Sequence, residues 1–193
     1  MKICIYGGAF DPIHLGHLYI ADKVYEELEL DRVVFVPNGI PPWKEVTLFS
    51  VKDRVEMASL SISDNPRFDM DTFEADKPDK PAYAYDTVTY FKNKYPDAKL
   101  YFLIGSDILK GLDRWHRIGE LAAMVTFICV ERDEYVLPDS YLEGLQFKYD
   151  MVYLKLPYLN ISSTYIRHAI NNNQSYRYMV RDNVYAYIRG TGQ

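Results

Sequence analysis

The chain has 193 residues, of which 48% are hydrophobic and 25% charged, and its formal net charge is −5. This length predicts a single domain over residues 1–193, because domains commonly span about 100–200 residues. The negative charge and the lack of a lysine or arginine block argue against nucleic-acid binding, and no apolar run reaches the roughly 18 residues of a membrane-spanning helix.

The first predicted unit is a strand, a glycine-rich turn and a helix. Residues 3–6 form a short apolar run that is typical of a buried parallel strand. Apolar residues recur at helical spacing over residues 18–28. Between these segments, Gly7 and Gly8 allow close backbone approach, and Pro12 fixes the turn before the helix.

Two histidines stand at the predicted start of this helix. His14 and His17 are three positions apart, so both imidazoles are expected to face one side. Gly16 between them is expected to leave the helix surface open. Such a helix start suits an anion, and phosphate is the favoured one. Taken singly, each feature also has an ordinary explanation, since a Gly-Gly pair is often only a tight turn and a histidine often only a core or surface residue.

Strands and helices alternate along the rest of the chain. Further strands are predicted at residues 32–36, 67–70, 100–104, 125–130 and 151–154, and helices at 51–62, 85–94, after 163 and at 182–189. In the helix at 51–62, Arg54 and Glu56 are assigned to the polar face. The alternation predicts an α/β fold with a Rossmann-like, doubly wound, mostly parallel sheet and helices on both faces.

The segment after the second predicted strand contains Pro37, Pro41 and Pro42 and is predicted to be irregular. It leads into Trp43 and Lys44. Two interpretations stay open for it: a rigid surface loop, or a substrate loop that brings Lys44 to an anion.

Two later segments also suggest ligand binding. The strand at 100–104 ends in Gly105-Ser106-Asp107, and ligands of open α/β sheets bind beyond the carboxyl ends of strands. Hydroxyl residues at 162–164 precede a predicted helix that contains Arg167. One hydroxyl would be an ordinary helix cap, whereas three hydroxyls and an arginine predict a second anion site.

The cysteines and the start of the chain indicate a compartment. Cys4 and Cys129 lie in apolar, strand-like runs and are predicted to be reduced core residues. The first strand is predicted to begin at Lys2, which leaves no room for a signal or transit peptide. A cytoplasmic protein is therefore expected.

Residues 7–17, Gly-Gly-Ala-Phe-Asp-Pro-Ile-His-Leu-Gly-His, resemble the His-x-Gly-His signature of the nucleotidyltransferase superfamily. Residues 161–167 resemble the second half of that superfamily's nucleotide-binding cleft. Within the superfamily, the chain is similar to the bacterial nicotinate-nucleotide adenylyltransferases at residues 41–44, 84–87, 104–107 and 125–127, with Leu112 and Trp115. Two positions depart from the family pattern: Trp43 stands where a histidine is usual, and Ala9 where a small hydroxyl residue is common.

The resemblance implies transfer of AMP from ATP to nicotinate mononucleotide, which yields nicotinate adenine dinucleotide (deamido-NAD) and pyrophosphate in NAD biosynthesis. Mg²⁺ is implied to arrive with ATP rather than in a dedicated metal site of the protein. The implied partners are these two nucleotides, with no nucleic acid and no membrane, and a homo-oligomer is left open.

The resemblance also implies residue roles for ATP. His17 would contact the α-phosphate, His14 would orient the triphosphate, and Arg167 would hold the β- and γ-phosphates, so these three are the implied catalytic residues. Asp107 would hold the adenosine ribose. The implied ATP-binding set is Gly7, Gly8, Ala9, Phe10, His14, Gly16, His17, Gly105, Asp107, Ile161, Ser162, Ser163, Thr164 and Arg167.

For the second substrate, Lys44 would meet the mononucleotide phosphate. Thr87 and the backbone near Trp115 would receive the nicotinate carboxylate, with the indole stacked on the ring and His116 in the same set. Three alternatives remain at this point: a sister enzyme such as pantetheine-phosphate adenylyltransferase, a cytidylyltransferase, and a nucleotide-binding sensor without turnover.

Overall fold

In a computed structural model of the chain, the described residues are 1–39, 47–77, 80–131, 138–157 and 159–191. Their strands are β1 (Lys2–Gly8), β2 (Arg32–Pro37), β3 (Phe68–Met70), β4 (Lys99–Gly105), β5 (Thr126–Val130) and β6 (Met151–Leu154). They form one sheet in the order β3-β2-β1-β4-β5-β6, and each neighbouring pair is parallel. The predicted Rossmann-like α/β fold is confirmed.

The α-helices are α1 (Leu15–Glu27), α2 (Val51–Ile62), α3 (Ala84–Lys94), α4 (Ile118–Ala122), α5 (Asp139–Lys148), α6 (Ser163–Asn171) and α7 (Asp182–Gly190). A 3₁₀ helix covers Ser106–Arg114. The sequence did not predict this helix, α4 or α5. A five-residue helix is too short to show a 3.6-residue period, and a 3₁₀ helix follows a period of three. None of the helices in the described ranges is long and apolar enough to cross a membrane.

Both faces of the sheet are buried, which explains the uninterrupted apolar runs of its strands. Along β1, Cys4 and Tyr6 join a core that includes residues of α1, α2, α6 and α7. Ile3 and Ile5 point to the opposite core, which includes residues of α3, α4 and α5. Successive residues of a strand alternate between the two faces, so one strand supports both layers of helices.

The strand order defines where a ligand can bind. From β1 the chain adds β2 and then β3 on one side, whereas β4, β5 and β6 follow on the other side. The loops after β1 and β4 therefore leave the sheet in opposite directions. In open α/β sheets, this change of direction creates a crevice beyond the carboxyl ends of the two strands.

Candidate active site

Two adjoining cavities open at this crevice. The histidine pocket has a volume of about 340 Å³ and is lined by His14 and His17 among others. The tryptophan pocket has a volume of about 210 Å³ and is lined by Trp115 and His116 among others. The residues common to both linings are Gly7, Gly8, Leu103, Ile104 and Ile108. Two bound molecules would therefore meet over the carboxyl ends of β1 and β4.

Most of the predicted ATP-binding residues come together in the histidine pocket. Those that line it are Gly7, Gly8, Ala9, Phe10, His14, Gly16, His17, Gly105, Ile161, Ser162, Ser163 and Thr164. Asp107 lies just beyond, in the 3₁₀ helix that begins at Ser106. Arg167 lies behind the start of α6 and is half-buried against the turn after β1. Their roles toward ATP remain predictions.

The two histidines form one structural unit. His14 is the N-cap of α1, and its backbone N–H donates to Nδ1 of His17 over 3.2 Å. The two rings stack with centroids 3.7 Å apart. Because Nδ1 of His17 accepts a hydrogen bond, a neutral His17 carries its proton on Nε2. The hydrogen bond from the His14 backbone thus fixes the tautomer of His17 in which Nε2 is the donor.

Gly16 lies in close contact with the histidine pair. A Cβ atom at this position would lie 3.0 Å from Nδ1 of His14 and 3.5 Å from the carbonyl oxygen of Ile161. Gly16 lines the histidine pocket, with the His14 ring directly beside it. A side chain here would displace the ring.

The second predicted anion site packs directly on the first. Ser163 Oγ donates to the carbonyl oxygen of Pro12 over 3.0 Å, and an Arg167 NH group donates to that of Asp11 over 2.8 Å. A second NH group of Arg167 reaches Thr164 Oγ1 at 3.1 Å. The start of α6 is thus fixed to the turn that precedes α1. The structure brings the two helix starts together as the sequence predicted.

Two buried charged side chains, Asp11 and Arg54, hold the turn in place from beneath. The Asp11 carboxylate is buried and accepts the backbone N–H groups of Leu48 and Phe49 at 3.0 and 2.9 Å. Arg54 is also fully buried, and its guanidinium donates to the carbonyl oxygens of Ala9 and Gly39 at 2.6 and 2.9 Å. Burial lowers the pKa of Arg54, and the charge of Asp11 opposes that shift.

Arg54 was therefore misassigned from its sequence. Helical periodicity placed it on the polar face of α2, and this prediction is wrong because the side chain points under the loop after β1. Periodicity detects apolar stripes, and a buried guanidinium that bonds two carbonyl groups leaves no such trace.

Trp115 and His116, both assigned to the second substrate from the sequence, line the tryptophan pocket. The Trp115 ring meets Phe102 edge-to-face with centroids 5.9 Å apart, and the His116 ring lies 4.6 Å from that of Tyr83. Ala84, the first residue of α3, also lines this pocket. The first N–H groups of a helix have no partner within the helix, so this end of α3 suits an anionic group.

Thr87 does not line this pocket. Its side chain is fully buried inside α3, where the hydroxyl donates to Glu74 and lies 3.3 Å from the carbonyl oxygen of Tyr83. The structure thus does not support direct contact between Thr87 and a substrate carboxylate. Lys44, which was assigned to the second substrate, and the neighbouring Trp43 lie outside the described residues.

Glu74 lines the tryptophan pocket and was not identified in the sequence. The side chain is buried, and its two carboxylate oxygens accept hydrogen bonds from Thr87 Oγ1 and Asn38 Nδ2. Burial raises the pKa of Glu74, and the hydrogen bonds from Thr87 and Asn38 oppose this shift. Its partners lie 36 and 13 positions away, so no local pattern connects them.

The sheet order, the stacked histidines after β1 and the second helix start packed beside them are the arrangement that the sequence predicted for a nucleotidyltransferase. Residues 5–169 match the family described as Cytidylyltransferase-like. The fold is similar to that of "Plasmodium falciparum nicotinic acid mononucleotide adenylyltransferase complexed with NaAD", with a TM-score of 0.82, 23% identity and coverage of 98% of this chain and 95% of that one.

Curated relatives narrow this class. A protein of Caldicellulosiruptor saccharolyticus named "Probable nicotinate-nucleotide adenylyltransferase" is 43% identical, with coverage of 97% of this chain and 96% of that protein. A protein of Oceanobacillus iheyensis with the same name is 39% identical, with coverage of 97% and 94%. The chain belongs to the nicotinate-nucleotide adenylyltransferase family, as its sequence motifs predicted.

Proposed function

We propose that this chain transfers AMP from ATP to nicotinate mononucleotide and forms nicotinate adenine dinucleotide and pyrophosphate in NAD biosynthesis. The observation that carries the proposal is the wall that the two pockets share at Gly7 and Gly8. If the triphosphate of ATP lies at the two helix starts and the ring of the mononucleotide lies near Trp115, the phosphates of the two molecules lie side by side. Family membership favours this reaction over phosphopantetheine or cytidyl transfer.

The chemistry fits residues that position groups and stabilise charge. An anionic phosphate oxygen of the mononucleotide attacks the α-phosphorus of ATP, so no general base is needed. The new bond joins that oxygen to the α-phosphorus, and the bond to the bridging oxygen of the β-phosphate breaks. The electron pair leaves with pyrophosphate. In-line positioning and charge stabilisation therefore supply the catalysis.

The residues of the histidine pocket have distinct roles in this proposal. His17 donates through Nε2 to the α-phosphate, where negative charge shifts during transfer, and His14 orients the triphosphate. Arg167 and the helix start at Ser163 and Thr164 hold the β- and γ-phosphates. Asp107 binds the adenosine ribose from the 3₁₀ helix after β4.

The mononucleotide ring belongs in the tryptophan pocket, stacked on the indole of Trp115. Its carboxylate would accept hydrogen bonds from the N–H groups in the first turn of α3, near Ala84. These bonds would replace the contact with Thr87 that the sequence suggested. Lys44 stays assigned to the mononucleotide phosphate by resemblance alone.

Mg²⁺ would enter with ATP on the phosphate oxygens, where it would offset their charge. In the described ranges, no group of three or more histidine, cysteine, aspartate or glutamate side chains is arranged to hold a metal ion. A metal held mainly by phosphates and water suits such a site.

We further propose a single catalytic domain that works in the cytoplasm, where its two buried cysteines would stay reduced.

A panel of substrates tests the proposed function. With ATP, release of pyrophosphate should be faster with nicotinate mononucleotide than with its amide or with phosphopantetheine. The amide NH₂ would face N–H donors at the start of α3, and each unpaired buried polar group costs roughly 1–3 kcal/mol. A preference of at least tenfold in kcat/KM is therefore expected. Equal rates with the acid and the amide would contradict the assignment.

Replacing Arg167 by lysine should raise the KM for ATP roughly tenfold and leave the KM for the mononucleotide nearly unchanged. Arginine donates through several N–H groups in a fixed plane, whereas lysine is a point charge. In the structure, two NH groups of Arg167 donate to the Asp11 carbonyl and to Thr164 Oγ1, and the guanidinium has further N–H groups to offer a phosphate. Initial-rate kinetics with each substrate varied in turn gives both KM values. An equal rise in both would contradict the separation of the two pockets.

A further inference from the structure

The tryptophan pocket contains an acidic side chain that the proposed reaction does not use. Glu74 is 6% exposed and forms part of the pocket wall. Among the described residues of that wall, it is the only carboxylate, and there is no lysine or arginine. A pocket for a ring that bears a carboxylate would be expected to avoid a second negative charge.

No basic residue of the described chain forms an ion pair with this carboxylate. Its hydrogen-bond donors are the neutral side chains of Asn38 and Thr87. Lys77 attracts it only at longer range, and the charge of Asp86 acts in the opposite direction. A buried carboxylate is costly unless it is paired with a cation. A ligand with a positive charge would supply this pairing and so favour the charged form of Glu74.

Nicotinate mononucleotide has such a cation. Its ring nitrogen is bonded to ribose and so carries a fixed positive charge, while the carboxylate lies on a carbon two ring positions away. The ring thus presents opposite charges on different parts of its edge. The start of α3 offers N–H donors on one part of the pocket wall, and Glu74 offers negative charge on another.

We propose that Glu74 is a specificity-determining residue that selects the positively charged pyridinium ring of the mononucleotide. The inference rests on the proposed function, because that function supplies the charged ring. Trp115 supports the same preference, since an indole face attracts cations. The favourable interaction with the cation also offsets the burial that raises the pKa of Glu74.

A glutamine at position 74 can remove the charge without breaking the hydrogen bonds. Its Oε1 can accept from Asn38, and its Nε2 can donate to Thr87 Oγ1. The Thr87 hydroxyl can then donate to the carbonyl oxygen of Tyr83, which already lies 3.3 Å away. The matched control is Thr87→Val, which disturbs the same network and keeps the carboxylate. A role confined to structure would make the two variants alike.

The probe is a mononucleotide in which carbon replaces the ring nitrogen, the 3-carboxyphenyl C-riboside 5′-phosphate. It keeps the carboxylate, the ribose and the phosphate, but its ring is neutral. Steady-state kinetics with ATP should give the wild type a preference of at least about tenfold for nicotinate mononucleotide over this analogue. Glu74→Gln should lower that preference about tenfold and leave the KM for ATP unchanged. Thr87→Val should keep the preference.

Several outcomes would overturn the proposal. A wild type that uses both mononucleotides equally would overturn it, and this result does not depend on whether the variants fold. A Glu74→Gln enzyme that loses equal activity on both substrates would reduce Glu74 to a structural role. A wild type with no turnover of nicotinate mononucleotide would refute the proposed function first, and this inference with it.

Discussion

Replacing His17 by alanine is expected to lower kcat by about 10²–10³ while the Kd for ATP changes only a few-fold. A donor aimed at the position where charge develops acts mainly in the transition state, and removing one such donor costs this much in other enzymes. The hydrogen bond from the His14 backbone to Nδ1 sets the donor on Nε2 of His17. Single-turnover kinetics at saturating ATP would measure the change in the chemical step.

The control for His17 is another histidine of the same chain. His168 is exposed on α6 and does not line either pocket. His168→Ala should leave kcat within about twofold of the wild type, as expected for an exposed position away from the site. An unchanged kcat in His17→Ala would refute the role given to this residue.

Replacing Arg54 by methionine is expected to lower the free energy of unfolding by about 3 kcal/mol or more. The change leaves the carbonyl groups of Ala9 and Gly39 without their donor, in a place where both are covered by protein. A buried acceptor that loses its donor costs roughly 1–3 kcal/mol, so the two carbonyl groups together account for a loss of this size. Equilibrium unfolding in urea measures the difference.

The control for Arg54 is an arginine on the surface. Arg177 is half exposed and forms an ion pair of 3.4 Å with the exposed Asp182. Arg177→Met should change the unfolding free energy by less than about 1 kcal/mol, because exposed ion pairs contribute little. If the two variants lose similar amounts of unfolding free energy, burial of Arg54 does not explain its contribution to stability.

The parts of this fold that the sequence predicted correctly depend on near neighbours in the chain. The strand at 100–104 was recognised because both of its faces are buried, which makes every residue in the run apolar. The helix start at His14 was recognised because histidines and glycine occur at fixed short spacing. The start of α6 was recognised in the same way, from the hydroxyl residues at 162–164.

The parts that the sequence did not reveal depend on distant partners. Arg54 lies 45 positions from Ala9, and Glu74 lies 36 positions from Asn38. Thr87 was correctly placed near a helix start, but spacing alone could not show that its hydroxyl faces Glu74 rather than a ligand. Only the folded chain shows which of its polar side chains are buried and what they contact.

The hydrogen bond between Ser163 and Pro12 spans 151 positions of the chain, and this separation matters while the protein is being translated. During translation, β1 and the histidines leave the ribosome long before α6 does. A nascent chain that ends before residue 163 would contain the strands that carry both pockets but not the α6 wall of the triphosphate site. Contacts of such long separation also form slowly in folding. The ability to retain ATP should therefore appear only with the last part of the chain, after the sheet itself can form.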